Sequence, residues 1–379
     1  MIRVLNIISD SNIGGAGKCV LTFLKFFDRK HFAAKVVVPR GSLLKKEIEK
    51  LGIKVIECDG IAEKSLSIEG INNLGKIIIR TNPDIVHTHG TMSGRIAAKM
   101  CRKKIVYTRH SVFDVSPKIS RGIGKIINGK VNEFFSDRII AVAEAAKDNL
   151  IQSGISEKKI TVVLNGVEQL ERCNKFEKEA SYSRFGVTEK DYVVSIMARL
   201  ESYKGHKYLL EAVKILKDDG IPIKAIIAGT GNYENELKAY AAELCIEKET
   251  VFAGFVSDIK SLLAITDVQA NASYGTEATS LSLLEGMSLG IPAVVSNFGG
   301  NPGVITDNEN GMIFESKNSA QLAKKLEALY KDKEKYDCMS KRAVEIFNEK
   351  FTAKVYAKNI EDIYASVLEG EKTDGKKKA

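Results

Sequence analysis

The run YGTEATSLSLLEGMSLGIPAVVSNFGG (274–300) carries only two charged residues, Glu277 and Glu285, with seven residues between them. Glu285 falls in an apolar segment of helical character, where a carboxylate is costly unless something pairs with it. A ribose diol would offer it two hydrogen bonds, and a bond to backbone elsewhere accounts for it as well. Thr279 and Ser280 suit the N-cap of a helix starting near Leu281. That helix start presents free N–H groups and a positive dipole end suited to phosphate. Glu277 lies nearer the mouth of such a site, where a sugar attached to the phosphate would sit.

Other residues of this kind recur after apolar runs. In MARLESYKGHKYLLEA, Arg199 and Lys204 supply a fork and a point charge suited to a diphosphate. AIIAGTGNYENEL places Gly229 and Gly231 in a turn, and VFAGFVSD offers an apolar slot at Phe255 and Val256 that suits a nucleobase. PDIVHTHG and IVYTRHS put three of the five histidines, His87, His89 and His110, at two strand ends, with Arg109 beside the last. A histidine there can act as a general base, a hydroxyl ligand or a metal ligand. His87 reads best as a ring capping the buried sheet, His89 as the one open to a site, and His110 as functional. Gly14 and Gly15 in SDSNIGGAGK let a backbone approach a phosphate at a helix start, and a plain tight turn reads them equally well. Their spacing matches neither the dinucleotide fingerprint nor a P-loop.

Such residues need strands to carry them. Short β-branched runs at 4–9, 35–38, 55–57, 85–89, 105–109, 139–142 and 161–164 alternate with helical patterns such as 42–51 and 68–80. The series begins again at 193–198, 225–228, 251–253, 268–270, 293–295 and 312–314. This is the pattern of parallel sheets covered on both faces. The fold class expected is α/β, with two doubly wound Rossmann-like domains facing across a cleft. Residues 1–170 form the first domain and 191–351 the second; a helix over about 352–369 packs back on the first. The polar stretch 171–190 is expected as a linker and 370–379 as a disordered tail. Ligands of open parallel sheets lie beyond the strands' carboxyl ends, which is where the residues above fall.

Composition narrows the classes. Hydrophobic residues make up 44% of the 379 and charged residues 28%, which suits a soluble chain with real cores. No apolar run approaches a membrane span, and the N-terminus does not read as a signal peptide. The six cysteines include no CxxC pair, which argues against zinc and against a disulfide framework. Residues 1–186 carry a net +13 and the rest −4, so the first half is expected to face an anionic surface or substrate.

Taken together, the motifs resemble those of retaining glycosyltransferases of the GT-B fold, glycosyltransferase family 4. The E-x7-E pair, LLEGMSLGIPAVVS, Arg199 with Lys204-Gly205, AGTGNYENEL and FGGNPGVITDNENGMIF occur in family order, as do IGGAGK, PDIVHTHG, YTRHS, AVAEAAKDNL and VVLNGVE. The resemblance covers roughly residues 2–351 and implies a sugar transferred from a nucleotide sugar, a UDP-sugar by preference, to a lipid-linked or glycan hydroxyl. It implies Arg199 and Lys204 on the donor diphosphate, Glu285 on the ribose and Glu277 on the transferred sugar. His110 stands on the acceptor side with His89 and Arg109 nearby. Gly14, Gly15, Gly229, Phe255, Val256, Thr279, Ser280 and Leu281 line the donor. Where many members read EGFG this chain reads Glu277-Ala278-Thr279-Ser280, so no donor sugar is implied. No Asp-x-Asp motif is present, which fits a family with no catalytic metal or other cofactor; no nucleic-acid partner is expected. A nucleotide-sugar 2-epimerase and a non-catalytic sugar-nucleotide-binding subunit are the alternatives.

One further stretch, SPKISRGIGKIINGKVNEFF (116–135), reads as a single amphipathic helix. Ile119, Ile123, Ile126, Ile127, Val131 and Phe134 share one face, and Lys118, Arg121 and Lys125 the other. Such a helix either packs its apolar face on the sheet or lies on an anionic leaflet at the inner face of the plasma membrane, and the two are compatible.

Overall fold

The computed structural model describes residues 1–62, 66–112 and 115–375. Its contacts divide the chain into two units, Met1–Val167 with Thr352–Ala379, and Glu168–Phe351.

The first unit holds a seven-stranded sheet of β1 (Ile2–Ile8), β2 (Phe32–Pro39), β3 (Lys54–Cys58), β4 (Ile85–His89), β5 (Lys104–Arg109), β6 (Arg138–Ala141) and β7 (Ile160–Val162), ordered β3-β2-β1-β4-β5-β6-β7. Every pairing is parallel. The order reverses between β1 and β4, so the crevice beyond their carboxyl ends is the natural ligand position. The second unit holds β8 (Tyr192–Met197), β9 (Ile223–Ala228), β10 (Thr250–Gly254), β11 (Val268–Asn271), β12 (Ala293–Ser296) and β13 (Gly311–Phe314), ordered β10-β9-β8-β11-β12-β13 and again all parallel. Its reversal lies between β8 and β11. All thirteen apolar runs read from the sequence are strands; the central ones are apolar along their length because both faces are covered. The helix 353–375 belongs to the first unit, where Tyr356, Ile360 and Tyr364 are buried and the Tyr364 ring meets Phe23 edge-on.

Three expectations need correction. The stretch 171–190 is not a plain linker: Lys175–Phe185 is a helix opened by a capping box between Asn174 and Glu177, and Phe185 and Val187 enter the second unit's core. The C-terminal helix runs on to Gly375, beyond the tail's expected start, and residues 376–379 lie outside the described residues. Residues 116–135 are two helices, Pro117–Ser120 and Gly122–Phe134, separated by Arg121 in extended conformation. Their apolar residues point outward, not onto the sheet.

Candidate active site

In the second unit, β11 ends at Asn271 and its loop brings Glu277 back over the strand end. Glu277 is buried, and its Oε2 accepts from Lys204 Nζ at 2.9 Å, Ser273 Oγ at 3.0 Å and Asn271 Nδ2 at 3.2 Å. Lys204 Nζ also donates to the Thr276 carbonyl at 3.0 Å. With 12% and 9% of their side chains exposed, Lys204 and Glu277 form a pair far better fixed than a surface salt bridge. An ammonium has three donors, and these contacts occupy two.

Glycines allow this packing. A Cβ on Gly205 would lie 2.0 Å from the Ala272 carbonyl oxygen, and one on Gly300 1.4 Å from that of Ala278. Gly300 N donates to the Glu277 carbonyl at 3.0 Å, which clamps the loop from the β12 side. Arg199, after β8, is exposed, and its Nη2 donates to Tyr203 Oη at 2.9 Å. Gly229 N donates to Gly254 O at 2.8 Å and Leu200 N to Thr230 O at 3.0 Å, so the loops after β8, β9 and β10 are knitted together.

Ser280 takes the N-cap of Leu281–Ser288, but its hydroxyl pairs with Ser282 Oγ at 3.0 Å and does not cap the helix. Ser282 Oγ in turn donates to Met197 O at the end of β8. Thr279 and Leu281 flank that cap, and Glu285 sits half-buried one turn further in. The slot after β10 divides: the Val256 side chain packs into the core beside Phe185, while the Phe255 ring is 79% exposed.

In the first unit His87, His89 and His110 form a chain, the first two buried and His110 half-buried. His87 Nδ1 meets Tyr364 Oη and its Nε2 meets Thr108 Oγ1, each at 2.7 Å. His89 is buried as well, so it is not the ring open to the surface. It meets His110 Nε2 through Nδ1 at 2.9 Å and Asn6 Oδ1 through Nε2 at 3.3 Å. Burial is the main reason that all three are hard to protonate: His87 is pushed down to about 3, His110 to about 4, and His89 well below the usual value, the neighbouring rings adding to it for His87 and His89.

Neutral rings carry one N–H each, so the hydrogen bonds set the tautomers. With Asn6 Oδ1 accepting from His89 Nε2, His89 Nδ1 accepts from His110 Nε2. His110 Nδ1 is then a lone pair, buried and without a hydrogen-bond partner among the described residues. It can accept from a ligand hydroxyl. Arg109 is tied back to its own unit through Ser111 O and Asn149 Oδ1. Gly14 caps the helix Gly15–Phe26, and a Cβ on either glycine would meet no atom within 4 Å. Crowding within the chain does not require glycine at either position.

Asn271 and Ser273 were not read from the sequence, although the alternation in NAS at a strand end was a usable signal. Asn6, a lone polar residue within the apolar run VLNII, was another. Tyr364 gave none, being one of two tyrosines on the apolar stripe of its helix.

Two family models match. "Glycosyl transferases group 1" covers residues 177–345 and "Glycosyltransferase Family 4" residues 13–169. The chain belongs to this glycosyltransferase family. It is 28% identical over 267 residues to the putative glycosyltransferase EpsD of Bacillus subtilis, covering 68% of this chain and 70% of that one. It is 28% identical over 260 residues to the Escherichia coli UDP-Gal:alpha-D-GlcNAc-diphosphoundecaprenol alpha-1,3-galactosyltransferase, covering 65% and 66%. Its fold matches that of Anabaena Alr3699/HepE, a structure in complex with UDP, with a TM-score of 0.84 at 23% identity over 96% of this chain and 100% of that one. The two sheets are therefore the two Rossmann-like domains of a GT-B glycosyltransferase, and nothing favours the 2-epimerase alternative.

Proposed function

We propose that this chain transfers a sugar from a nucleotide-diphosphate sugar, a UDP-sugar by preference, to a hydroxyl of a lipid-linked or glycan acceptor with retention of configuration. The work is synthesis of a cell-surface polysaccharide or glycolipid, at the inner face of an anionic membrane. The observation that carries this is the buried Lys204–Glu277 pair at the switch point of the second sheet, held by Asn271 and Ser273, in a chain of this family.

Lys204 Nζ offers its remaining donor to a phosphate oxygen, and Arg199 brings its guanidinium to the same strand end. Glu277, fixed through Oε2, is held facing the donor sugar, and Glu285 takes the ribose diol. Thr279, Ser280 and Leu281 present the helix start to the phosphates, while Gly229 and the backbone at 255–256 border the base. His110 Nδ1 accepts from a sugar or acceptor hydroxyl, and His89 positions that ring. Gly14 and Gly15, at the start of the helix Gly15–Phe26, let the backbone approach a phosphate.

The bond from the anomeric carbon to the diphosphate breaks, and its electron pair leaves with the diphosphate. The acceptor oxygen bonds on the same face, and its proton passes to the departing phosphate oxygen. Arg199 and Lys204 meet the charge that a metal would otherwise meet, so chelation is expected to leave turnover largely intact.

A panel of UDP-, GDP- and ADP-sugars read by nucleotide release, with and without a membrane lipid extract, tests the reading. Release from one UDP-sugar, stimulated by the extract, with the anomeric proton of the product matching the donor's by NMR, is the expected result. No release from any donor, or an inverted product, would overturn it.

A further inference from the structure

The helix Gly122–Phe134 is built inside out. Its inner side carries small and polar residues: a Cβ on Gly129 would lie 2.0 Å from the Gly154 carbonyl oxygen. Asn128 Nδ2 donates to Ser153 O at 2.7 Å, and Asn132 Oδ1 accepts from the buried Arg95 at 2.9 Å. The helix is therefore seated by close backbone approach and hydrogen bonds, not by apolar burial. Its outer side carries Ile123, Ile126, Ile127 and Phe134, exposed by 75%, 63%, 58% and 60%, with Val131 and the preceding Ile119 also exposed. A contiguous apolar face of this kind marks an interaction surface.

Charge selects the occupant. Lys118, Arg121 and Lys130 are exposed around the face, Lys99 Nζ lies 4.6 Å from the Phe134 ring centroid, and Glu133 is the one acid between residues 116 and 134. A second copy of the chain would bring these cations against each other. An anionic bilayer meets both requirements, since its acyl region takes the isoleucines and its headgroups take the lysines.

We infer that the Gly122–Phe134 face is a membrane-docking surface that inserts its isoleucines and Phe134 below anionic headgroups, with Lys118, Arg121 and Lys130 at headgroup level. This rests on the membrane location proposed above but makes insertion, not charge alone, the source of attachment. Attachment is therefore only partly sensitive to salt.

Flotation tests it without catalysis. The full chain is mixed with phosphatidylcholine vesicles containing roughly one third phosphatidylglycerol, and with phosphatidylcholine alone. The expected result is flotation with the anionic vesicles, more than about half of it surviving ~0.5 M salt, which screens surface charge to within a few ångström. The variant carrying Ile123→Asn and Ile127→Asn should float at least about tenfold less, with an unchanged melting curve, because both side chains already face water. Loss of all wild-type flotation in salt, or equal flotation of the variant, would overturn insertion. Absence of flotation together with a wild-type dimer that the variant dissolves would assign the face to a second copy instead. Nucleotide release from a UDP-sugar is measured separately, so failure of docking and failure of the transferase reading remain distinguishable.

Discussion

Lys204→Ala removes two hydrogen bonds at once, those to Glu277 Oε2 and to Thr276 O. Loss of a charge-assisted partner at a desolvated phosphate typically costs ~2–4 kcal/mol, roughly 30- to 1,000-fold in kcat/KM. Arg199→Ala should approach the same loss with less effect on stability, since Arg199 is exposed and its described side-chain bond is to Tyr203. Steady-state kinetics over a range of donor concentrations, beside thermal melts, check both; a near-normal kcat/KM for donor in the two variants would remove the donor-site assignment. Gly300→Ala probes the same site from behind. Its new Cβ would lie 1.4 Å from the Ala278 carbonyl oxygen, so the loop bearing Glu277 must move. Displaced catalytic groups commonly cost tenfold or more, so kcat is expected to fall by at least ~10-fold in protein that still folds by circular dichroism. The placement of Glu277, Arg199 and Lys204 at strand ends was legible because each follows an apolar run. Asn271 and Ser273 were not, because short polar residues at strand ends are common. The histidines were legible as a group, but their connections were not: only the hydrogen bonds show His89 held between His110 and Asn6.

Buried rings set an acid limit. Burial pushes His87 down to about 3 and His110 to about 4 from an ordinary 6.5, and it pushes His206, buried at the start of the second unit's helix His206–Asp218, down to about 4. Depressed histidines take up protons on unfolding, so the stability that they contribute is whole above about pH 6.5 and is lost as pH falls toward 4. Each buried ring contributes on the order of 1–2 kcal/mol of that loss by about pH 5. Melts at about pH 7 and about pH 5 should show a clear drop in midpoint, and an unchanged midpoint would mean that the rings are already charged in the folded chain.

At the scale of elements, the strands were readable because most are buried on both faces, and the helix Ile68–Thr81 because it follows the ordinary rule, with Leu74, Ile77 and Ile78 inward. The helix Gly122–Phe134 obeys the opposite rule, and periodicity alone gives the period of a stripe, not the side that it faces. Its glycines and asparagines were the unread clue, since Gly129 and Asn128 are poor choices for a solvent face and good ones for close docking. Gly129→Ala should therefore unseat this helix while keeping every apolar residue. Overpacking against the Gly154 backbone is expected to cost about 1–3 kcal/mol, read as a lower melting temperature. The helix Lys175–Phe185 had a legible start in Asn174 and Glu177, three apart, and the polarity of its surroundings hid it.

At the scale of the whole molecule, the second unit is one uninterrupted segment, Glu168–Phe351, while the first is assembled from both ends of the chain. The two junctions lie side by side, with Ala353 N donating to Val167 O at 2.8 Å and Val167 bridged to Thr352. The helix that follows supplies Tyr364, which fills the first unit's interior against Phe23 and Phe32 and meets His87 Nδ1. Synthesis therefore runs against the order of the sequence. The sheet of the first unit is made before the second unit yet waits for the core residues of the helix after Thr352, whereas the second unit has its whole sequence earlier. A chain truncated after Phe351 is therefore expected to keep a protease-resistant second unit while His87 and Phe23 of the first lose the cover of Tyr364.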